Sequence, residues 1–332
     1  MKIYNSKKAL GATVLLFVSL VTISWGIVGH ERVSRAAVLA LPEPLQVFFY
    51  NHIDFITQES TIPDLRKYVL NDKAEGQRHY FDMENFGVID SFPKTMEAAK
   101  KKYDEKFLAK NGTLPWYIQD MMVKLTKAFK EKKKTEILFL AGDLAHYIAD
   151  AHMPLHTSDN HDGQNTNQKG IHALWESRIP ELFANNYKLH VENGVYLDNV
   201  DKATWDIIFD THSLVEPLLA ADKPLRTSTP ENKMYEVDAK GEIVKSQYKS
   251  NIYSEDYSNK LHIALNGMVE SQMKKAITAT SSFWYTAWVN AGKPDLSSLD
   301  NEDLTKRNAK FLKRDLKMWK KDKVFGLVTE KE

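Results

Sequence analysis

Two histidine–carboxylate pairs, each spaced four residues apart, constrain this chain more than any other feature of its sequence. His146 pairs with Asp150 and His172 with Glu176, inside the stretch GDLAHYIADAHMPLHTSDNHDGQNTNQKGIHALWESRI (Gly142–Ile179). On a helix, residues four apart share a face about one turn apart. An imidazole and a carboxylate placed so can grip a single metal ion. Between the pairs, His156 follows Met153-Pro154-Leu155, where the proline predicts a helix end, and a polar loop rich in Gly, Asn, Asp, Gln and Thr leads to the second pair. One such pair alone reads as an ordinary cap or core hydrogen bond. Two pairs plus His156 within about thirty residues read as a metal site.

The chain has no cysteine, so a metal must be held by imidazole, carboxylate and backbone groups, which suits zinc, manganese or iron about equally. At 332 residues, 43% hydrophobic and 27% charged, the composition is that of an ordinary globular protein with one large domain or two modest ones. Lys2, Lys7 and Lys8 precede an uncharged run, Ala9 to Gly29, with Thr22 and Ser24 at the small-residue positions of a cleavage site before Trp25. That is a secretory signal over residues 1–24, and it predicts a periplasmic or secreted protein. The run is also long enough to span a bilayer, so an uncleaved anchor is the alternative. Without residues 1–24 the chain loses three lysines and no acid, leaving 42 basic and 44 acidic groups, a net of −2. No global basic field is available to hold nucleic acid, so phosphate binding must be local.

Apolar residues recur at helical spacing almost throughout, and no strand alternation repeats, so the expected fold is all-α: a single multi-helix domain with the metal site between helices. Helical runs are expected over 30–58 (interrupted by Pro42 and Pro44), 93–110, 115–132, 135–152, 202–221 and 257–291. Asp64 opens a short helical run after Pro63, and Arg78–Asp82 is extended or a turn. Residues 222–256 are polar and irregular, with Met234–Ser246 readable as a hairpin turning at Lys240-Gly241. From Pro294 the composition turns to charge. In this helical tail, 294–332, Leu312, Leu316 and Trp319 share one face of a Lys-rich helix, either packed lightly on the domain or available to a membrane surface or partner.

HYIAD (His146–Asp150), PLH (Pro154–His156) and HALWE (His172–Glu176) resemble the metal motifs of the superfamily that joins bacterial zinc-dependent phospholipase C to the fungal single-strand-specific zinc nucleases. WGIVGH (Trp25–His30) resembles the mature N-terminus of the nucleases, and Asp64 and the HYFD of His79–Asp82 follow in the expected order. The resemblance covers roughly 25–290, so a hydrolase domain is expected over 25–293. It implies three zinc ions: one held by Asp64, His79, His146 and Asp150; a second by His156, His172 and Glu176; a third by His30, the shared Asp150, and Trp25 through its amino nitrogen and carbonyl oxygen. An amine coordinates only when free and deprotonated, so cleavage before Trp25 would complete the third site. His152 and His161 match no motif position and are kept as supporting or loop residues. His52, His190, His212 and His262 lie outside the constellation, and Asp143, on the face of His146, is placed to orient a ligand.

The resemblance implies hydrolysis of a phosphodiester. Metals about 3.5–4 Å apart activate a water and neutralise charge on the leaving oxygen, with Asp64 orienting that water or accepting its proton. Tyr80, Phe81 and Asp82 are the expected substrate-binding residues, the aromatics by stacking. The HYxAD spelling and the HxxxE form of the second pair resemble the phospholipases, whereas the WGxxGH start resembles the nucleases. The expected substrate is therefore a phospholipid, with single-stranded nucleic acid as the alternative and a non-catalytic zinc-binding envelope protein as the reading from another class.

Overall fold

From Ala141 to Asp150 the helix Lys134–Asp150 is buried at every residue but Asp143, and a helix segment enclosed on all sides must lie at the centre of a bundle. The computed structural model describes residues 26–70, 72–246 and 250–324. The expected signal segment 1–24 and Trp25 lie outside the described residues. The fold is all-α: among the described residues there are only isolated β-bridges and no extended sheet.

The chain enters through α1 (Gly26–Leu39), turns at Pro42–Pro44, and continues as α2 (Leu45–Asn51), α3 (Ile53–Glu59), α4 (Ile62–Tyr68) and the single turn α5 (Lys73–Gly76). Then come α6 (Met96–Lys102), α7 (Glu105–Asn111), α8 (Leu114–Lys130) and α9 (Lys134–Asp150). The expected single helix over 93–110 is broken because Tyr103 is extended and the Asp104 side chain accepts the Phe107 N–H at 2.7 Å, starting a new helix. After a polar loop, α10 (Ile171–Ala173) widens into a π-helical turn, Leu174–Arg178, and passes into α11 (Ile179–Phe183).

The run expected over 202–221 is two helices, α12 (Val200–His212) and α13 (Val215–Ser228), followed by α14 (Glu231–Met234). The run expected over 257–291 is likewise α15 (Glu255–Ala264) and α16 (Met268–Asn290). The break falls at Asn266-Gly267, both at positive φ, a turn conformation in which a helix cannot continue. Helices α1, α3, α8 and α16 surround α9. The Trp284 indole on α16 donates to the Ala141 carbonyl of α9 at 3.0 Å, satisfying a buried donor inside that core.

The charged tail forms α17 (Glu302–Trp319), and its expected apolar face turns inward: Leu312 and Trp319 are buried and Leu316 is half-buried. Tyr50 on α2 donates to Asp315 at 2.6 Å, and Asp300, just before α17, is reached by Asn51, His52 and Lys134. The face offered by the sequence to a membrane is thus occupied by the protein itself.

Helix α9 sits close to α3 because position 142 has no side chain. A Cβ on Gly142 would stand 2.6 Å from both Cβ and Cγ of Glu59, atoms that cannot swing away. Alanine gains about 1 kcal/mol of helix propensity, but such overpacking costs more. Gly142→Ala is expected to destabilise by about 1–2 kcal/mol net in urea unfolding; an unchanged midpoint would contradict this account of the α3–α9 contact.

Candidate metal centre

Helix α9 brings His146 and Asp150 into the middle of the molecule one turn apart, both fully or almost fully buried. Around them the fold gathers His30 from α1, Asp64 from α4, His79 from the segment after α5, His156 from the short turn Pro154–Thr157, His172 from α10 and Glu176 from the π-helical turn. Together these form four overlapping triads whose ligand atoms lie within 4.8 Å of one another: His30–Asp64–His146, His79–His146–Asp150, His156–His172–Glu176 and His30–Asp150–Glu176. All eight side chains expected from the sequence within the described residues are therefore brought together. The ninth, Trp25, lies outside them.

Asp150 is the hub. Its Oδ2 is 2.9 Å from His79 Nδ1 and 3.2 Å from His146 Nε2, while Oδ1 is 3.5 Å from His30 Nε2 and 3.7 Å from His156 Nδ1. Asp64 Oδ1 is 3.7 Å from His79 Nδ1, and the His30 and His146 rings stack at 4.0 Å. In the second cluster, His156 Nε2 is 3.5 Å from Glu176 Oε2 and 3.3 Å from His172 Nε2, and His172 is in close contact with Glu176.

Backbone groups fix two of the rings. His146 Nδ1–H donates to the Ser60 carbonyl at 2.8 Å and His172 Nδ1–H to the His161 carbonyl at 2.7 Å, leaving each Nε2 lone pair facing the cluster. The extended segment through His79 is pinned on both sides, Phe81 N–H to the His156 carbonyl and Asp82 N–H to the Asn111 carbonyl, each at 2.8 Å. A Cβ at Gly112 would fall 2.0 Å from the Tyr80 carbonyl oxygen, so only glycine lets the two segments meet.

The donor set suits a metal. Imidazole nitrogens face one another at 3.0 Å (His79 and His146) and 3.3 Å (His156 and His172). Among the described residues, the buried His156 Nδ1 has no hydrogen-bond partner. Buried polar atoms left so are costly, and a cation among them removes the cost. Burial pushes His30 well below its usual pKa and pushes the Asp64 carboxyl up. At His146 burial opposes protonation, but Asp150, Asp64 and the Ser60 carbonyl outweigh it and push the pKa up to about 9. At Glu176, burial is outweighed by His172 and His156, which hold the carboxyl well below its usual range.

A family model described as zinc dependent phospholipase C matches residues 29–215, a span that holds all eight of these side chains. The chain belongs to the zinc dependent phospholipase C family. Family membership makes zinc the metal for this donor set. Among solved structures, an alpha toxin from Clostridium absonum is similar at 12% identity and a TM-score of 0.44, covering 77% of this chain and 63% of that one. An alpha-toxin of Clostridium perfringens from avian strain SWCP matches at 15% identity and a TM-score of 0.45, covering 82% and 66%. The chain thus spans less than two thirds of the length of these toxins. No match was found among curated proteins. Among the described residues, no helix is long and apolar enough to cross a membrane.

A cavity of about 750 Å³ opens onto the cluster and reaches His79, His156 and His172. Tyr80 and Asp82 line it. Phe81 does not: it is wholly buried among Phe86, Phe92, Trp116 and Trp205. In an extended segment successive side chains point to opposite sides, so Tyr80 and Asp82 reach the cavity while Phe81 enters the core. The remaining wall was not foreseen. The expected hairpin forms with its turn at Gly241, and residues 250–253 return beside it to make a three-limbed meander. Its Glu236, Asn251, Ile252 and Tyr253 line the cavity, as does Arg178, which pairs with Glu236 and donates to the Tyr253 carbonyl at 3.1 Å.

The other residues singled out in the sequence have different places. Asp143 orients no ligand; its Oδ2 takes Arg66 at 2.7 Å. His152 donates to the Ile148 carbonyl, and burial lowers its pKa to about 4. His161 contributes its carbonyl to His172.

Burial, with the Asp159 and Glu84 carboxylates nearby, pushes the Asp82 carboxyl up to about 7. The unfolded chain loses that proton near pH 4, so between about pH 4 and 7 the folded state binds more protons and stability falls as pH rises. Asp82→Asn is expected to lose less stability than wild type between pH 5 and pH 8 in urea unfolding. Equal losses in both proteins would refute the assignment.

Proposed function

We propose that the chain is a zinc-dependent phosphodiester hydrolase of phospholipase C type, exported and active after removal of residues 1–24. One observation carries the reading: eight imidazole and carboxylate side chains converge in one cluster, and three of them, His79, His156 and His172, line a cavity large enough for a phosphodiester and its substituents. Membership of the zinc dependent phospholipase C family supports it, and favours a phospholipid over single-stranded nucleic acid. The burial of Phe81 supports the same preference, because a base would have only Tyr80 of the two expected rings to stack on.

Asp64, His79, His146 and Asp150 would hold one zinc ion, and His156, His172 and Glu176 a second. His30 and Asp150, completed by the amine and carbonyl of Trp25, would hold a third. Bound zinc supplies Lewis acidity, polarising a phosphoryl oxygen and making water nucleophilic near neutral pH. Asp64 sits at the edge of the cluster, 7% exposed, where a carboxylate oxygen can orient the attacking water and accept its proton. Asp150, at the centre, keeps the imidazoles of both clusters in register. Tyr80 is fixed by its hydroxyl, which donates to the Lys110 carbonyl at 3.0 Å. It and Asp82 form one wall against the substituents of the phosphate, with Leu155 and Ile252 excluding water from the other parts of the cavity.

The deciding experiment takes the protein beginning at Trp25 and assays a phosphatidylcholine emulsion beside single-stranded DNA and RNA, with and without a zinc chelator. Chelator-sensitive cleavage of the lipid alone is expected. Cleavage of nucleic acid alone would replace the lipid reading with the nuclease one, and zinc binding without cleavage of any of the three would leave a non-catalytic zinc protein. Asp64→Asn is expected to keep its fold and most of its zinc while turnover drops at least about a hundredfold, the size of a general-base contribution; unchanged turnover removes Asp64 from the chemistry. Elemental analysis checks the ions separately, and fewer than two zinc per chain would sink the three-ion assignment.

A further inference from the structure

Behind His79, on the side away from the cluster, lies a carboxylate that the reaction does not use. Glu75, on α5, is wholly buried. Arg66 Nε approaches its Oε2 at 3.3 Å and an Arg78 guanidinium nitrogen at 2.8 Å, and the Tyr147 hydroxyl donates to Oε1. Arg66 is steadied in turn by Asp143 at 2.7 Å, and Arg78 lies over the Tyr117 ring at 4.6 Å. Taking a carboxylate out of water is costly, and a well-packed apolar group would serve stability as well or better. The charge therefore calls for another explanation.

His79 supplies it. Its two ring nitrogens face different surroundings: Nδ1 looks into the cluster toward Asp150, His146 and Asp64, and Nε2 stands 3.5 Å from Glu75 Oε1. Nε2 is buried and has no hydrogen-bond partner of good geometry among the described residues. A neutral imidazole that ligates through one nitrogen carries its proton on the other. With Nδ1 given to a metal, the Nε2–H points at Glu75, and a slight turn of the ring closes the hydrogen bond.

We infer that Glu75 is the positioning residue for His79, fixing the tautomer in which Nδ1 is the ligand and raising the basicity of that ring. His146 and His172 differ on both counts: each rests its Nδ1–H on a backbone carbonyl and presents Nε2. A carboxylate partner makes a ligating imidazole more basic than a carbonyl does, so His79 is the ring through which the protein tunes the affinity of the ion it shares with His146 and Asp150. Arg66, Arg78 and Tyr147 keep Glu75 ionised and immobile for that task. The inference rests on the metal reading given above, and its test separates the two.

Zinc affinity is measured by chelator competition on the full mature chain, for wild type, Glu75→Ala, Glu75→Gln and Asp143→Asn. Glu75→Ala is expected to weaken one zinc equivalent about 10- to 100-fold. Glu75→Gln, whose amide oxygen can still accept from Nε2–H, should recover part of that loss. Asp143→Asn removes a partner of Arg66 without touching His79 or Glu75, so it should lower thermal stability and weaken zinc binding far less than Glu75→Ala does. A folded Glu75→Ala protein with wild-type affinity for every equivalent overturns the inference, as does an Asp143→Asn protein weakened as much as Glu75→Ala. A wild type that binds no zinc would instead overturn the metal reading. Should neither Glu75 variant fold, long-range proton–nitrogen NMR on the wild-type zinc protein decides. A proton on Nε2 of His79 supports the assignment; a proton on Nδ1 refutes it.

Discussion

A carboxylate at the centre of a protein must be compensated or neutralised, and Asp150 meets that requirement by standing among four imidazoles at once. Several long-range features of the fold keep those rings there. His30 arrives on α1, His79 on a segment pinned by backbone hydrogen bonds to Asn111 and His156, and His156 itself on a turn that follows directly from α9. None of these pieces is adjacent to all the others in the chain. What holds the arrangement is the apolar packing of α1, α3, α8 and α16 around α9, because a dense core fixes side-chain positions to within fractions of an ångström. The polar centre and the apolar core are thus one construction, in which the core supplies the rigidity and the centre the chemistry.

The site has two kinds of support for its rings. His146 and His172 lean on main-chain carbonyls, which exist wherever the backbone passes and need no particular residue at that position. His79 leans toward a side chain, Glu75, itself held by two arginines and a tyrosine. The first kind of support is built into the fold, and the second can be altered by substitution. On the proposed reading, a centre supported both ways would keep its geometry while the strength of metal binding at His79 is adjusted.

Part of the candidate metal centre was legible in the sequence because its geometry is local, whereas His30, Asp64 and His79 came only with the family resemblance. The pairs His146–Asp150 and His172–Glu176 are each one helical turn, so spacing alone placed them. The second pair runs from α10 into a π-helical turn, yet four residues still bring the two side chains into contact. Helix boundaries were less legible where a single residue overrides the periodicity. Asp104 caps a new helix within an unbroken amphipathic pattern, and Asn266-Gly267 carries the same turn signal as Asn111-Gly112 in a stretch that otherwise reads as continuous helix. Phe81 was misread because composition says aromatic where only the alternation of an extended strand says which way the ring points. The meander wall was least legible. Its hairpin is written in a Gly241 turn, but nothing local tells that Tyr253 and Ile252 return to face the cavity, since that depends on Arg178, 75 residues before Tyr253 in the chain.

Arg178 closes the π-helical turn that also carries Glu176, with His172 just before it, and it is this same residue that fastens the meander through Glu236 and the Tyr253 carbonyl. The rim of the cavity and part of its floor therefore hang from one short length of backbone. The meander is thus not an independent module. Any replacement of the meander has to present a new acceptor to Arg178, or the strain passes two residues along the turn to a donor of the centre. On the proposed reading, substrate range and metal retention would both hang on this single segment and would be expected to change together.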